Sequence, residues 1–122
     1  MVQEQVLDEI KDPSLRVYVI WEPILGRDSE RTSRAAATLI PGPRAVQFWS
    51  GSSAVGKLFQ APIHLTGETA WDVYLLYARG QRWEASVPKP RFFMHQLSGR
   101  LPERQRLDGT VLAKQVQALL RD

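Results

Sequence analysis

Residues 71–77, Trp-Asp-Val-Tyr-Leu-Leu-Tyr, are apolar on both alternating faces except at Asp72, and a turn through Ala78, Arg79 and Gly80 leads on to Trp83. A short run that is apolar above and below needs cover on two sides, so it reads as a buried strand. Gly80 allows a tight turn, and the residues up to Trp83 read as a short return strand. The chain has no cysteine, so disulfides, thiolate nucleophiles and thiolate metal sites are all excluded from whatever sheet this hairpin enters.

The 122 residues are about one domain's length, enough to bury roughly two thirds of the unfolded surface. We expect a single domain over 1–122, with an N-terminal helix over 1–12 and a core over 15–120. The hydrophobic fraction of 43% and charged fraction of 24% are those of ordinary globular proteins. No apolar run approaches the roughly 20 residues that cross a bilayer. The opening Met1–Gln5 is acidic where a secretory signal would be basic, and the chain reads as cytoplasmic with no membrane partner. Sixteen basic residues, twelve of them Arg, stand against 13 acidic ones for a net charge of +3. This mild excess lacks the dense basic stripe of a nucleic-acid binder.

Val2, Val6, Leu7 and Ile10 recur at helical spacing and predict the N-terminal helix, stopped by Asp12-Pro13. Residues 15–21, ending at Trp21, are β-branched and aromatic on both faces and predict a central strand covered by helices on both sides. After the loop containing Pro23 and Gly26, Asp28 or Ser29 can cap a helix from Glu30 to Ile40, closed by Pro41-Gly42-Pro43. Residues 44–49 alternate as a second strand, and residues 54–59 form a brief helix. Strand, helix, strand, helix favours parallel pairing. Val87-Pro88-Lys89-Pro90 predicts an edge or crossing segment, Arg91–Leu97 an extended one, and Asp108 a cap for a helix over 109–121 striped with Leu112, Val116, Leu119 and Leu120.

This order of elements resembles the thioredoxin-like fold. A hydrophobic strand ending at Trp21 before a loop and helix, and a late hairpin from Val73 to Trp83, carry the likeness. The string from Trp71 to Tyr77, Trp83, the paired prolines and Met94-His95-Gln96-Leu97 resemble a group of uncharacterised bacterial thioredoxin-like proteins. The resemblance implies an α/β fold: a three-layer α/β/α sandwich around a mixed four-stranded sheet, with an extra N-terminal helix. Glu22-Pro23-Ile24-Leu25-Gly26-Arg27 stands where the redox cysteines would follow Trp21, so thiol–disulfide exchange is ruled out. Pro62 lies too early to serve as the proline those proteins place before their third core strand.

Other constellations compete for a role. Gly51-Ser52-Ser53-Ala54-Val55-Gly56-Lys57 fits P-loop spacing, yet Leu58 stands where a hydroxyl would hold Mg²⁺, and an ordinary turn and helix start explains it equally. His64 and His95 are the side chains nearest neutrality in proton affinity, and His95, beside a strand, reads as satisfying a backbone carbonyl. Asp72 is a general-base candidate or, more simply, an ion-pair partner for Arg44, Arg82 or Arg91. Met94 and His95 point to opposite faces of a strand and make no soft-metal site. The loop after the first strand is the favoured contact site, because a helix N-terminus at the carboxyl end of a parallel strand presents oriented amides and a positive dipole. Trp21, Pro23, Arg27, Asp28 and Arg31 would meet a protein partner or a small anionic ligand there. The expected function is a non-catalytic thioredoxin-like binding or scaffolding protein with no cofactor. The alternatives are a cysteine-free enzyme or carrier for a thiol-containing or anionic small molecule, and a divergent nucleotide binder.

Overall fold

The computed structural model describes residues 1–23, 29–67 and 69–122. The chain opens with a π-type helical turn, Val2–Leu7, shorter than the expected helix over 1–12. Asp12 ends the segment by folding back on itself, its Oδ1 accepting the Ser14 N–H and hydroxyl at 2.8 and 2.7 Å. Strands β1 (Val17–Trp21) and β2 (Ala45–Trp49) pair in parallel, Val17 beside Ala45 through Trp21 beside Trp49. Helix α1 (Glu30–Ala37) makes the crossover that parallel pairing requires. It ends three residues before the expected Ile40.

Helix α2 (Ala54–Leu58) and a 3₁₀ turn (Ala61–Ile63) lead to β3 (Val73–Leu76), which pairs antiparallel with β4 (Phe92–His95). A second 3₁₀ turn, Glu103–Gln105, precedes α3 (Gly109–Arg121), whose first amides are capped by Asp108 as its sequence position predicts.

The expected three-layer sandwich around a mixed four-stranded sheet does not form. β1–β2 and β3–β4 are separate two-stranded sheets. The middle of the molecule is the β3–β4 pair. On one side Val6, Ile10, Met94, Leu112 and Val116 are buried together with Tyr74, Leu76 and Phe92 packed against them. On the other, Ile63, Leu65, Ala70, Leu97 and Leu101 enclose Val73, Leu75 and Phe93. The apolar pattern of residues 73–76 thus identifies a strand covered on both faces, by α3 and the N-terminal turn above and by the 59–70 and 97–101 segments below.

Two further expectations are corrected. The return strand is not at Trp83: Gly80 does close a turn at φ +83°, with the Gln81 amide donating to the Ala78 carbonyl, but residues 81–86 are exposed and join no ladder, and the Trp83 ring packs edge-on against Phe59. The partner is Phe92–His95, reached after the 87–90 segment crosses over and the Tyr77 hydroxyl donates to the Pro88 carbonyl at 2.8 Å. Nor is β1 covered on both sides. Trp21 on its odd-numbered face meets the cleft below α1, but its even-numbered face leaves Tyr18 66% and the neighbouring Phe48 52% exposed. β-branched and aromatic residues favour strand geometry whether or not both faces are covered, which is why the pattern overstated burial.

Arg44 joins the two halves. Its guanidinium donates to the carbonyls of Leu7, Ile10 and Asp12, satisfying orphan acceptors where the N-terminal turn ends, while its own carbonyl accepts from Val17 at the start of the β1–β2 ladder. Among the described residues no helix is long and apolar enough to cross a membrane.

Candidate functional site at the ends of the parallel strands

Trp21 and Trp49 end β1 and β2 side by side. The Trp21 indole N–H donates to Gln47 Oε1 at 3.0 Å, and the Gln47 amide nitrogen donates to the carbonyls of Ala37 and Ile40, each at 3.0 Å. That relay fixes the Trp21 ring and satisfies carbonyls at and just past the end of α1 from the middle of β2. Between the tryptophans and α1 lies a cleft of about 200 Å³ lined by Trp21, Gln47, Phe48 and Trp49 from the strands and Glu30, Ser33, Arg34 and Ala37 from the helix. The helical residues are spaced three and four apart, so they share one face.

Most polar groups lining this cleft are already paired. Ser33 is buried and donates to the Glu30 carbonyl at 2.7 Å. Arg34 pairs with the Glu30 carboxylate at 2.7 Å on the exposed rim, where such pairs are worth only a few tenths of a kcal/mol and part easily. At the start of α1 the Ser29 hydroxyl accepts the Thr32 amide at 3.2 Å, and the Thr32 hydroxyl accepts the Ser29 amide at 2.9 Å. This capping box occupies two of the amides that the sequence offered to an anion. The cleft is therefore an aromatic slot with a zwitterionic rim.

Of the expected contact residues, only Trp21 lines it. Pro23 is half-buried beyond the strand end, Arg31 is exposed on α1 outside the cleft, and Arg27 and Asp28 lie outside the described residues. Arg34, Glu30 and Trp49 line it as well. The first two share the cleft-facing helical stripe with Ser33 and Ala37, and Trp49 follows from parallel pairing with Trp21, so the signals were in the sequence.

The remaining candidates lie elsewhere. His95 is 0% exposed. Its Nδ1 accepts the Leu97 amide at 2.9 Å, so Nε2 carries the proton and donates to the Pro102 carbonyl at 2.8 Å. Its own carbonyl accepts the Leu107 amide at 2.7 Å. His95 thus pins the 97–107 segment to β4. His64 is exposed in the left-handed region at φ 59° and ends a 3₁₀ turn.

Asp72 is not in an ion pair with Arg44, Arg82 or Arg91. Arg44 is engaged with carbonyls and Arg91 pairs with Asp122. Instead Gln96, its amide oriented toward the carboxylate, donates to both Asp72 oxygens at 3.3 Å, and its backbone amide reaches the Asp72 carbonyl. Although the residue is exposed, its carboxylate lies against enough protein to lose hydration, which raises its proton affinity. Tyr74 nearby is raised above the usual phenol range by burial and then by the Asp72 charge.

The Gly51–Lys57 segment has no cradle. α2 spans only five residues, and the Gly56 amide already donates to Glu22 Oε1 at 2.8 Å. Gly56 is glycine for room: a Cβ there would meet the Ala70 carbonyl, Glu22 Oε2 and Thr69 Cγ2, each at 2.5 Å. Among the described residues no group of three or more His, Asp or Glu is placed to hold a metal ion. Compared with known proteins, the chain matches no family model, no curated protein and no solved structure.

Proposed function

We propose that this chain is a non-catalytic binding or scaffolding protein whose contact site is the Trp21–Trp49 cleft at the carboxyl ends of β1 and β2. One observation carries the reading: two tryptophans in register open onto a slot under α1 whose floor groups already satisfy one another, leaving aromatic surface and a loosely paired Arg34 and Glu30 to meet a ligand. Such a site offers apolar contact and charge selection. Thiol exchange is excluded, because the chain has no cysteine.

The test is comparative capture. A partner retained by the wild-type chain should be lost on Trp21→Ala and on Arg34→Glu, and kept on Lys89→Ala, which changes an exposed residue outside the cleft. Capture indifferent to Trp21→Ala removes the site. A thermal-shift panel with glutathione and nucleotides should be flat, because a ligand selective for the native state must raise the melting temperature. A nucleotide response lost on Lys57→Ala would overturn the reading.

A further inference from the structure

The ladder between β1 and β2 has a definite phase. At one end the Val17 amide donates to the Arg44 carbonyl at 2.9 Å, and at the other the Ser50 amide donates to the Trp21 carbonyl at 2.8 Å. In a parallel pair the bonding residues alternate, so the even-numbered residues of β2 turn their backbone toward β1. Gln47 and Trp49 turn their N–H and C=O groups the other way. Among the described residues none meets those outward groups, and β2 is one of only two strands in its sheet.

Natural edge strands are usually blunted by lysine, proline or an inward charge. Ala45-Val46-Gln47-Phe48-Trp49 has none of these. Beside this edge lie two surfaces that a strand laid along β2 would meet at once. Its side chains on one face would extend the exposed row of Val46 and Phe48, and those on the other would reach the Trp49 side of the cleft beneath Arg34.

We infer that the open edge of β2 takes an extended peptide as an added strand, apolar at alternate positions and carrying an acidic residue that faces Arg34. This rests on the cleft being a contact site and names what enters it. Strand addition gives affinity through main-chain hydrogen bonds and specificity through alternate side chains. Two β2 edges cannot pair with each other, because the helix beside each stands in the way. Gln47 reaches the last turn of α1, so α1 stands over β2. Pairing two β2 edges at the usual ~4.8 Å strand spacing would bring two such helices within about 5 Å, where packed helices need about 8–10 Å. The edge has room for a bare strand.

Random twelve-residue peptides displayed on phage are selected on the immobilised full chain, and the strongest binder is synthesised as a series N-methylated at successive positions. Strand addition predicts alternation: methylation at every second residue should weaken binding about tenfold and at the intervening residues less than about threefold. In amide exchange, Gln47 and Trp49 should be fast in the protein alone and slow at least about tenfold with the peptide, while Val46 and Phe48 are slow throughout. Failure to select any binder, a methylation series without alternation, or unprotected Gln47 and Trp49 overturns the inference. A binder lost on Trp21→Ala but lacking alternation leaves the cleft in place and removes the added strand. One that alternates but ignores Trp21→Ala supports the strand and removes the cleft.

Discussion

Replacing His95 by alanine strips the centre of the molecule of two hydrogen bonds and an imidazole at once. The Leu97 amide, in a residue only 5% exposed, loses its acceptor, and an orphaned buried donor costs about 1–3 kcal/mol. The Pro102 carbonyl belongs to an exposed residue and can turn to water, so its loss is smaller. The vacated ring leaves a void beside Leu97 and β4 that adds about 1–2 kcal/mol. Together these give about 2–5 kcal/mol, a large share of the roughly 5–15 kcal/mol that holds a domain of this size, and about 8–20 °C in melting temperature. Urea unfolding followed by tryptophan fluorescence measures it. Two further variants separate the bonds: asparagine places its carbonyl near the Nδ1 position and keeps the Leu97 contact, whereas glutamine places its amide nitrogen near Nε2 and keeps Pro102. Asparagine should be the milder change, because the amide it serves is buried. A loss under about 1 kcal/mol for His95→Ala, or glutamine milder than asparagine, refutes the reasoning.

Gly56→Ala should cost about 2 kcal/mol or more despite alanine's helix preference, whereas Gly51→Ala, where a Cβ meets nothing within 4 Å, should stay within about 0.5 kcal/mol; parallel thermal melts decide it. Arg44→Ala should cost about 2–3 kcal/mol by releasing three carbonyls, and Arg44→Lys should restore less than half of that in urea unfolding, since one ammonium cannot reproduce the planar fork. The proton affinity of Asp72 is raised on folding, so its contribution to stability is present below the unfolded value of about 3.8 and is lost as pH climbs through the folded one. Asp72→Asn, which also suits the left-handed φ of 51°, should therefore match the wild type near pH 3 and equal or exceed it at pH 7. Asp72→Val should lose about 1–2 kcal/mol at both; an asparagine variant that falls behind as pH rises contradicts the assignment.

Local chemistry was legible. The Ser29 and Asp108 caps, the Gly80 turn, the parallel pairing of residues 17–21 with 45–49 and the amphipathic last helix all follow from short-range rules about who can donate, accept or turn. The assembly of strands into sheets was not. Residues 73–76 could pair with either 82–83 or 92–95, and the choice falls to the segment that has apolar side chains on both faces to match, at the cost of a longer connection. Likewise Trp21 lines the cleft and Arg31 does not, because Arg31 falls outside the stripe of Glu30, Ser33, Arg34 and Ala37 that α1 turns toward it.

Val6 and Ile10 lie in the same cluster as Leu112 and Val116, so two segments about a hundred residues apart complete one another's burial. A growing chain cannot seal that cluster until residues 109–121 arrive, and until then the apolar side of its opening turn stays available to other chains. Contacts of such long sequence separation slow folding. A chain cut before residue 109 should therefore leave Val6 and Ile10 without their cover and lose solubility.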